Sequence, residues 1–138
     1  MRKWAYNSVV ACPEQAGFAD DRVYSPGSVD GPDADSPGRP FIVIRFGESQ
    51  PPVQGRIARI RQQTFQVWLH MEPGSMLPID ELCDALEKWM PSQAPALVDG
   101  QNIIACEWQF TSSDSWDDHY KTEARYITFM TTFKTTAN

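Results

Sequence analysis

The sequence predicts an α+β fold: a mainly antiparallel sheet of about four strands with two helices packed on it, in a single domain over residues 1–138. Three observations lead there. Residues 59–72 alternate apolar and polar side chains, stop at Pro73-Gly74, and pass directly into a helical pattern that runs through Trp89. Residues 103–110 and 123–133 read as the two arms of a hairpin. With 41% hydrophobic and 12% aromatic residues, a chain of 138 residues carries enough apolar surface to close a core.

The first expected element is a short helix over residues 2–11, with Tyr6, Val9 and Val10 at helical spacing and Pro13 closing it. Residues 22–25 read as a short edge strand. The stretch from Pro26 to Pro40 then brings four prolines, three glycines and three aspartates, which support neither a ladder nor a helix. So long a loop in a small domain is uncommon. It reads as a solvated hairpin loop, with an arm that orders against a neighbour as the sharper alternative.

Phe41–Phe46 is apolar on both faces apart from Arg45, as a central strand requires. Gly47–Arg56, with Pro51-Pro52 and Gly55, reads as a second loop. In the long strand that follows, Phe65, Val67 and Leu69 alternate with Thr64, Gln66 and His70, giving one buried and one polar face that only Trp68 interrupts. Ser75 is placed to cap the next helix, and Pro78 is tolerated in its first turn. Asp80 and Glu81 suit the positive end of the helix dipole. Ile79, Leu82, Cys83, Leu86, Trp89 and Met90 form one apolar stripe, and Pro91 and Pro95 end the element. In the last strand Ile127, Phe129, Thr131 and Phe133 share one face, and Tyr126, Thr128, Met130 and Thr132 share the other. The connection 111–122 reads as an acidic loop carrying two aromatics.

The composition excludes several function classes. A net charge of −6 leaves no basic stripe for a nucleic-acid groove and suits contact with other proteins. No apolar run approaches the roughly 20 residues that cross a bilayer, and residues 1–12 lack the apolar core of a signal peptide. Cys12, Cys83 and Cys106 are widely spaced and form no CxxC pair, so they read as reduced core thiols. Phosphate-binding glycine loops, nucleophile elbows and HExxH zinc motifs are all missing, and no catalytic residue, cofactor site or metal site is expected. His70 reads as a surface histidine on a strand. His119 beside Asp114, Asp117 and Asp118 has oxygen ligands a hard cation would accept, but their spacing does not match an EF-hand, and a solvated turn is the better reading.

Two charged patches remain as candidate subunit or partner interfaces. One is basic, Arg56, Arg59 and Arg61; the other is acidic, Asp114, Asp117 and Asp118 around Trp116. Trp116 either folds back onto the sheet or serves as an interface anchor. Opposite signs on one small protein allow head-to-tail association that closes into a ring when the rotation permits.

Several phrases in this order resemble the tail-terminator (tail-completion) proteins of long-tailed phages, especially those of actinobacteria. They are Arg22–Ser28, Arg39–Glu48, Phe65–Ser75 with Ile79–Leu82, and Cys106-Glu107-Trp108 through Asp117-Asp118 to Arg125-Tyr126. The resemblance implies an α+β virion subunit and no enzyme. Such subunits form a ring, typically a hexamer, that caps the head-proximal end of the tail tube and stops its polymerisation. The implied partners are further copies of the chain, the tail-tube protein and the head-side connector or stopper. DNA would only pass through the lumen, without specific binding, and no membrane is involved. The protein would be made in the host cytoplasm and reside in the virion tail. The alternatives are another phage neck or tail-tube protein and, further off, a small metal-dependent enzyme using Asp114, Asp117, Asp118 and His119. A monomeric binder of a host protein through Trp116 is a third.

Overall fold

A computed structural model describes residues 1–20, 22–25, 40–50, 60–74 and 77–135. Along the chain lie α1 (Arg2–Ala11), α2 (Pro13–Phe18), β1 (Val23–Tyr24), β2 (Phe41–Gln50), β3 (Ile60–Met71), α3 (Leu77–Ser92), β4 (Ala96–Val98), β5 (Gln101–Thr111), β6 (Ser115–Asp117) and β7 (Thr122–Thr135). The strands form one sheet in the order β1-β2-β3-β7-β5-β4, and β6 also pairs with β7. β1 runs parallel to β2, and every other pair is antiparallel.

Four strands and two helices is therefore the wrong inventory. Among the described residues the sheet is mixed and seven-stranded, with three helices. Each addition has a local cause. Cys12 adopts an extended conformation that breaks the first helix, and Pro13 then starts α2 at a position where its missing N–H costs nothing. Pro13 is thus a start as well as a stop. β2 does not end at Phe46 but continues to Gln50 through a bulge at Gly47 and Glu48. A Cβ on Gly47 would lie 2.6 Å from Thr64 Oγ1, so a side chain at the bulge would have to displace the Thr64 hydroxyl. β4 pairs with the start of β5, and β6 turns the expected loop 111–122 into an extension of the sheet. Pro91 sits inside the last turn of α3, which runs on to Ser92. The loop 26–40, apart from Pro40, and the cap position Ser75 lie outside the described residues.

The core lies on the helix side of the sheet. Ile42 and Ile44 of β2, Phe65, Val67 and Leu69 of β3, and Ile127 and Phe129 of β7 pack with Trp4 and Val9 of α1 and Ile79, Leu82, Leu86 and Met90 of α3. The apolar spacing of α3 therefore buries one stripe, as its sequence expects. On α1 the buried face is Trp4, Ala5, Ser8 and Val9, while Val10 is exposed. Both indoles that enter this layer keep their N–H satisfied: Trp4 Nε1 donates to the Gln93 carbonyl at 3.2 Å and Trp89 Nε1 to the Ser8 carbonyl at 2.8 Å. These bonds join α1 to α3 and to the residue that follows it.

The opposite face carries a second, smaller apolar cluster of Phe41, Val43 and Tyr120, with Tyr24 and Trp68 packed against it. His70 lies within it and is only 1% exposed, which overturns its reading as a surface histidine. Its ring stacks on Phe41 at 4.6 Å, and Nδ1 lies 2.8 Å from Thr122 Oγ1. The cause is tertiary: the turn after β6 brings Tyr120 over this face, edge-on to both Phe41 and His70.

Candidate interaction surface

β7 is the axis of the sheet, because it is paired along nearly its whole length on both sides. β3 runs beside it from Ile60↔Lys134 to Met71↔Glu123. On its other side β5 occupies the lane as far as Thr111↔Ile127, and β6 resumes it at Ser115↔Ala124. Only residues 112–114 separate the two segments, and they are fastened. Ser112 N–H donates to the Tyr126 carbonyl at 2.8 Å, and Tyr126 N–H donates back to Ser112 Oγ at 3.0 Å.

Arg125 secures the same region from the helix side. Its guanidinium meets Asp80 of α3 at 2.6 Å and donates to Asp114 from both Nε, at 3.0 Å, and Nη2. Its side chain is 16% exposed, whereas those of Asp80 and Asp114 are about half exposed. Burial works against the Arg125 charge, but hydrogen bonds to Asp114 and Asp80 outweigh it and hold the pKa above the ordinary arginine value.

The acidic turn itself is built from short-range bonds. Asp117 Oδ1 accepts the Tyr120 N–H at 2.9 Å and so closes the turn. Asp118 pairs with Lys121 at 2.9 Å, and that hydrogen bond, with help from the Trp116 side chain, holds its carboxyl below the usual range. Trp116 is 49% exposed, and its side chain hydrogen-bonds Asp118. His119 leans edge-on against Tyr120. Each carboxylate of the cluster thus has its own local role, and among the described residues no group of three or more His, Cys, Asp or Glu side chains is arranged to hold a metal ion.

The structure brings Asp114, Trp116, Asp117 and Asp118 to one end of the sheet. Arg61 is exposed and stands at the opposite end, ten positions back along β3 from Met71, which is about 34 Å. Arg56 and Arg59 lie outside the described residues. Arg61 and the acidic cluster therefore lie apart along the strand direction.

Sequence reasoning missed a third surface, the β4–β5 margin. Leu97, Ile104, Trp108 and Phe110 are between 40% and 71% exposed. The available signal was the run Glu107–Phe110, which interrupts the alternation a half-buried strand should keep; all four of its residues are exposed. The thiols, by contrast, are structural. Burial pushes Cys83 up to about 11 and Cys106 up to about 12, which keeps both protonated and unreactive at neutral pH.

No protein-family model matches the chain, and no curated protein matches it. Among solved structures, the fold is similar to a chain from the virion of a native gene transfer agent particle, with a TM-score of 0.67. The alignment covers 94% of this chain and 90% of that one at 10% sequence identity, so what the two share is the fold.

Proposed function

We propose that this chain is a non-enzymatic structural subunit of a phage virion. In the finer form of the proposal it assembles as a ring, a hexamer by the resemblance, on the head-proximal end of the tail tube. There it stops tube polymerisation and joins the tail to the head-side connector. The observation that carries the reading is the near end-to-end likeness to a chain of a gene transfer agent virion. The sequence phrases on the β3–α3 joint support it independently.

The placement of charge fits a part with two axial neighbours. Arg61, with Arg56 and Arg59 near it in sequence, marks one end of the strands, and Asp114, Trp116, Asp117 and Asp118 mark the other. In a ring whose strands run from face to face, these would be the two faces, one toward the tube and one toward the connector. DNA would cross the lumen without being read, in keeping with a net charge of −6.

Immunogold electron microscopy of purified particles, together with a deletion of the gene in the producing phage, tests this. The expected result is one band of label at the head end of each tail, with overlong or unjoined tails in the deletion. Label repeated along the tube would assign the chain to the tube instead. A particle without the protein, or tails of normal length and attachment in its absence, would overturn the proposal.

A further inference from the structure

We infer that copies of this chain associate by continuing the sheet: the β5 edge over residues 104–111 pairs with the β2 edge, residues 44–50, of a second copy. The ring described above supplies the reason for closure, so the inference rests on that reading for its end state. The pairing itself rests on the two edges.

Among the described residues both edges are only partly covered. β4 shields β5 no further than Ile103, and β1 shields β2 only at Ile42 and Val43. Beyond those positions neither strand has an outer partner among the described residues. An unpaired row of backbone donors and acceptors is a template for another strand.

The two open segments also match each other. Following the register across the sheet, Ile44 is level with Val67, Ile127 and Thr111. At the other limit, Gln50 is level with Gln62, Thr132 and Ala105. Both openings therefore span the same rows. Three antiparallel steps separate β2 from β5, so the two strands run in opposite directions. A copy displaced sideways presents β2 antiparallel to β5, which is the favoured pairing.

Side chains continue the match. Phe46, Phe65, Phe129 and Trp108 occupy one row on the helix-side face, with the inner rings 6.0 and 5.3 Å apart. Trp108 ends that row at the open edge, 48% exposed, where the Phe46 of a second copy would extend it. Ile104, Phe110 and Leu97 add to the same margin. Together these exposed side chains offer on the order of 400 Å² of apolar surface, about half of what each partner contributes to a stable interface. The backbone ladder and the polar rim supply the remainder. Because the two edges differ, the contact is heterologous and propagates around a ring.

The test uses two full-length variants at exposed bulge positions, Gln109→Pro on β5 and Glu48→Pro on β2, measured by light scattering after size exclusion. Proline at a bulge spares the existing ladder and removes a donor from the outer edge. The wild type should form oligomers and each variant alone should be a monomer. An equimolar mixture should give dimers and nothing larger, since one intact edge of each kind remains. Circular dichroism checks that both variants fold. Independently, the pair Arg45→Cys and Phe110→Cys, on one row and both exposed, should cross-link oxidatively into a ladder of multimers, which neither single change produces. Variants that assemble like the wild type, a mixture that stays monomeric, or a double-cysteine chain that does not cross-link would overturn the pairing. A protein that assembles by these edges yet is absent from particles would sink the virion reading alone.

Discussion

Removal of the Arg125 guanidinium should detach the acidic turn from the rest of the domain at a measurable cost. Arg125→Met keeps most of the side-chain volume, so the change isolates the polar contacts. Those contacts are the Asp80 pair at 2.6 Å, the two bonds to Asp114 and a hydrogen bond with the Cys83 thiol. Hydrogen bonds to charged groups each contribute about 1.5–3 kcal/mol when shielded. Here the carboxylates are about half exposed, so they rehydrate on losing the arginine, and solvent already screens the attraction. Between the shielded and the fully exposed limits, the expected loss is about 2 kcal/mol. For a chain of this size that lowers the melting temperature by roughly 6 °C. Urea denaturation gives the change in midpoint at constant slope, and a cycle with Asp114→Asn separates the Asp114 share, expected near 1 kcal/mol. A loss below about 0.5 kcal/mol, the range of ordinary surface substitutions, would refute the argument that this bridge holds α3, β7 and the turn together.

Gly47→Ala should destabilise the fold by about 1–3 kcal/mol in the same assay, because its Cβ would have to displace Thr64 Oγ1 from 2.6 Å. Phe41→Ala should cost about 3–4 kcal/mol and increase the exposure of Trp68, read as a shift in fluorescence, since Phe41 holds His70 and Tyr120 in the outer cluster. Trp116→Ala should leave stability within about 0.5 kcal/mol, since the indole is half exposed, while weakening capture of whichever partner the acidic end meets. For the thiols, the folded chain keeps protons on Cys83 and Cys106 up to about 11 and 12, whereas unfolding returns them to an ordinary value near 9. Their contribution is therefore intact below pH 9 and falls as pH rises through 9 to 12, by up to about 1.4 kcal/mol per pH unit for each thiol. Alkaline denaturation curves of the double Ala variant against the parent check the slope, and disulfide-exchange labelling at pH 8 should find the native thiols slow to react.

What the sequence disclosed follows the strength of its patterns. β3 and α3 were legible because alternation and three-to-four spacing persist over many residues, and tertiary packing reinforces both. α2, β4 and β6 were not, since each is six residues or shorter and carries no period; their existence depends on neighbours already in place. Gly47 imitates the start of a loop, yet a bulge lets the strand absorb the glycine. His70 was misread because alternation assigns it to the polar face, and nothing local reveals that Tyr120, fifty residues later, covers that face. For the candidate site, the acidic cluster was visible as composition, and Arg125 was not, because its partners come from α3 and from the far side of a turn.

The sheet's order has a consequence for how the chain folds. Its axis, β7, is the last element described, and its partners across the β3 ladder lie up to about seventy residues earlier, as in Ile60↔Lys134. During synthesis β3 and β5 must wait, each with its inner edge vacant, until residues 122–135 leave the ribosome. Pairing between segments so distant in sequence is slow, and vacant strand edges invite intermolecular contact in the interval. A nascent chain halted before residue 122 should therefore lack the part of the core that Ile127, Phe129 and Phe133 complete, and at high expression the delay favours aggregation over folding. In the assembly proposed above, the completion of one late strand would then time two events: the closing of the core and the appearance of a chain ready to be counted into a larger structure.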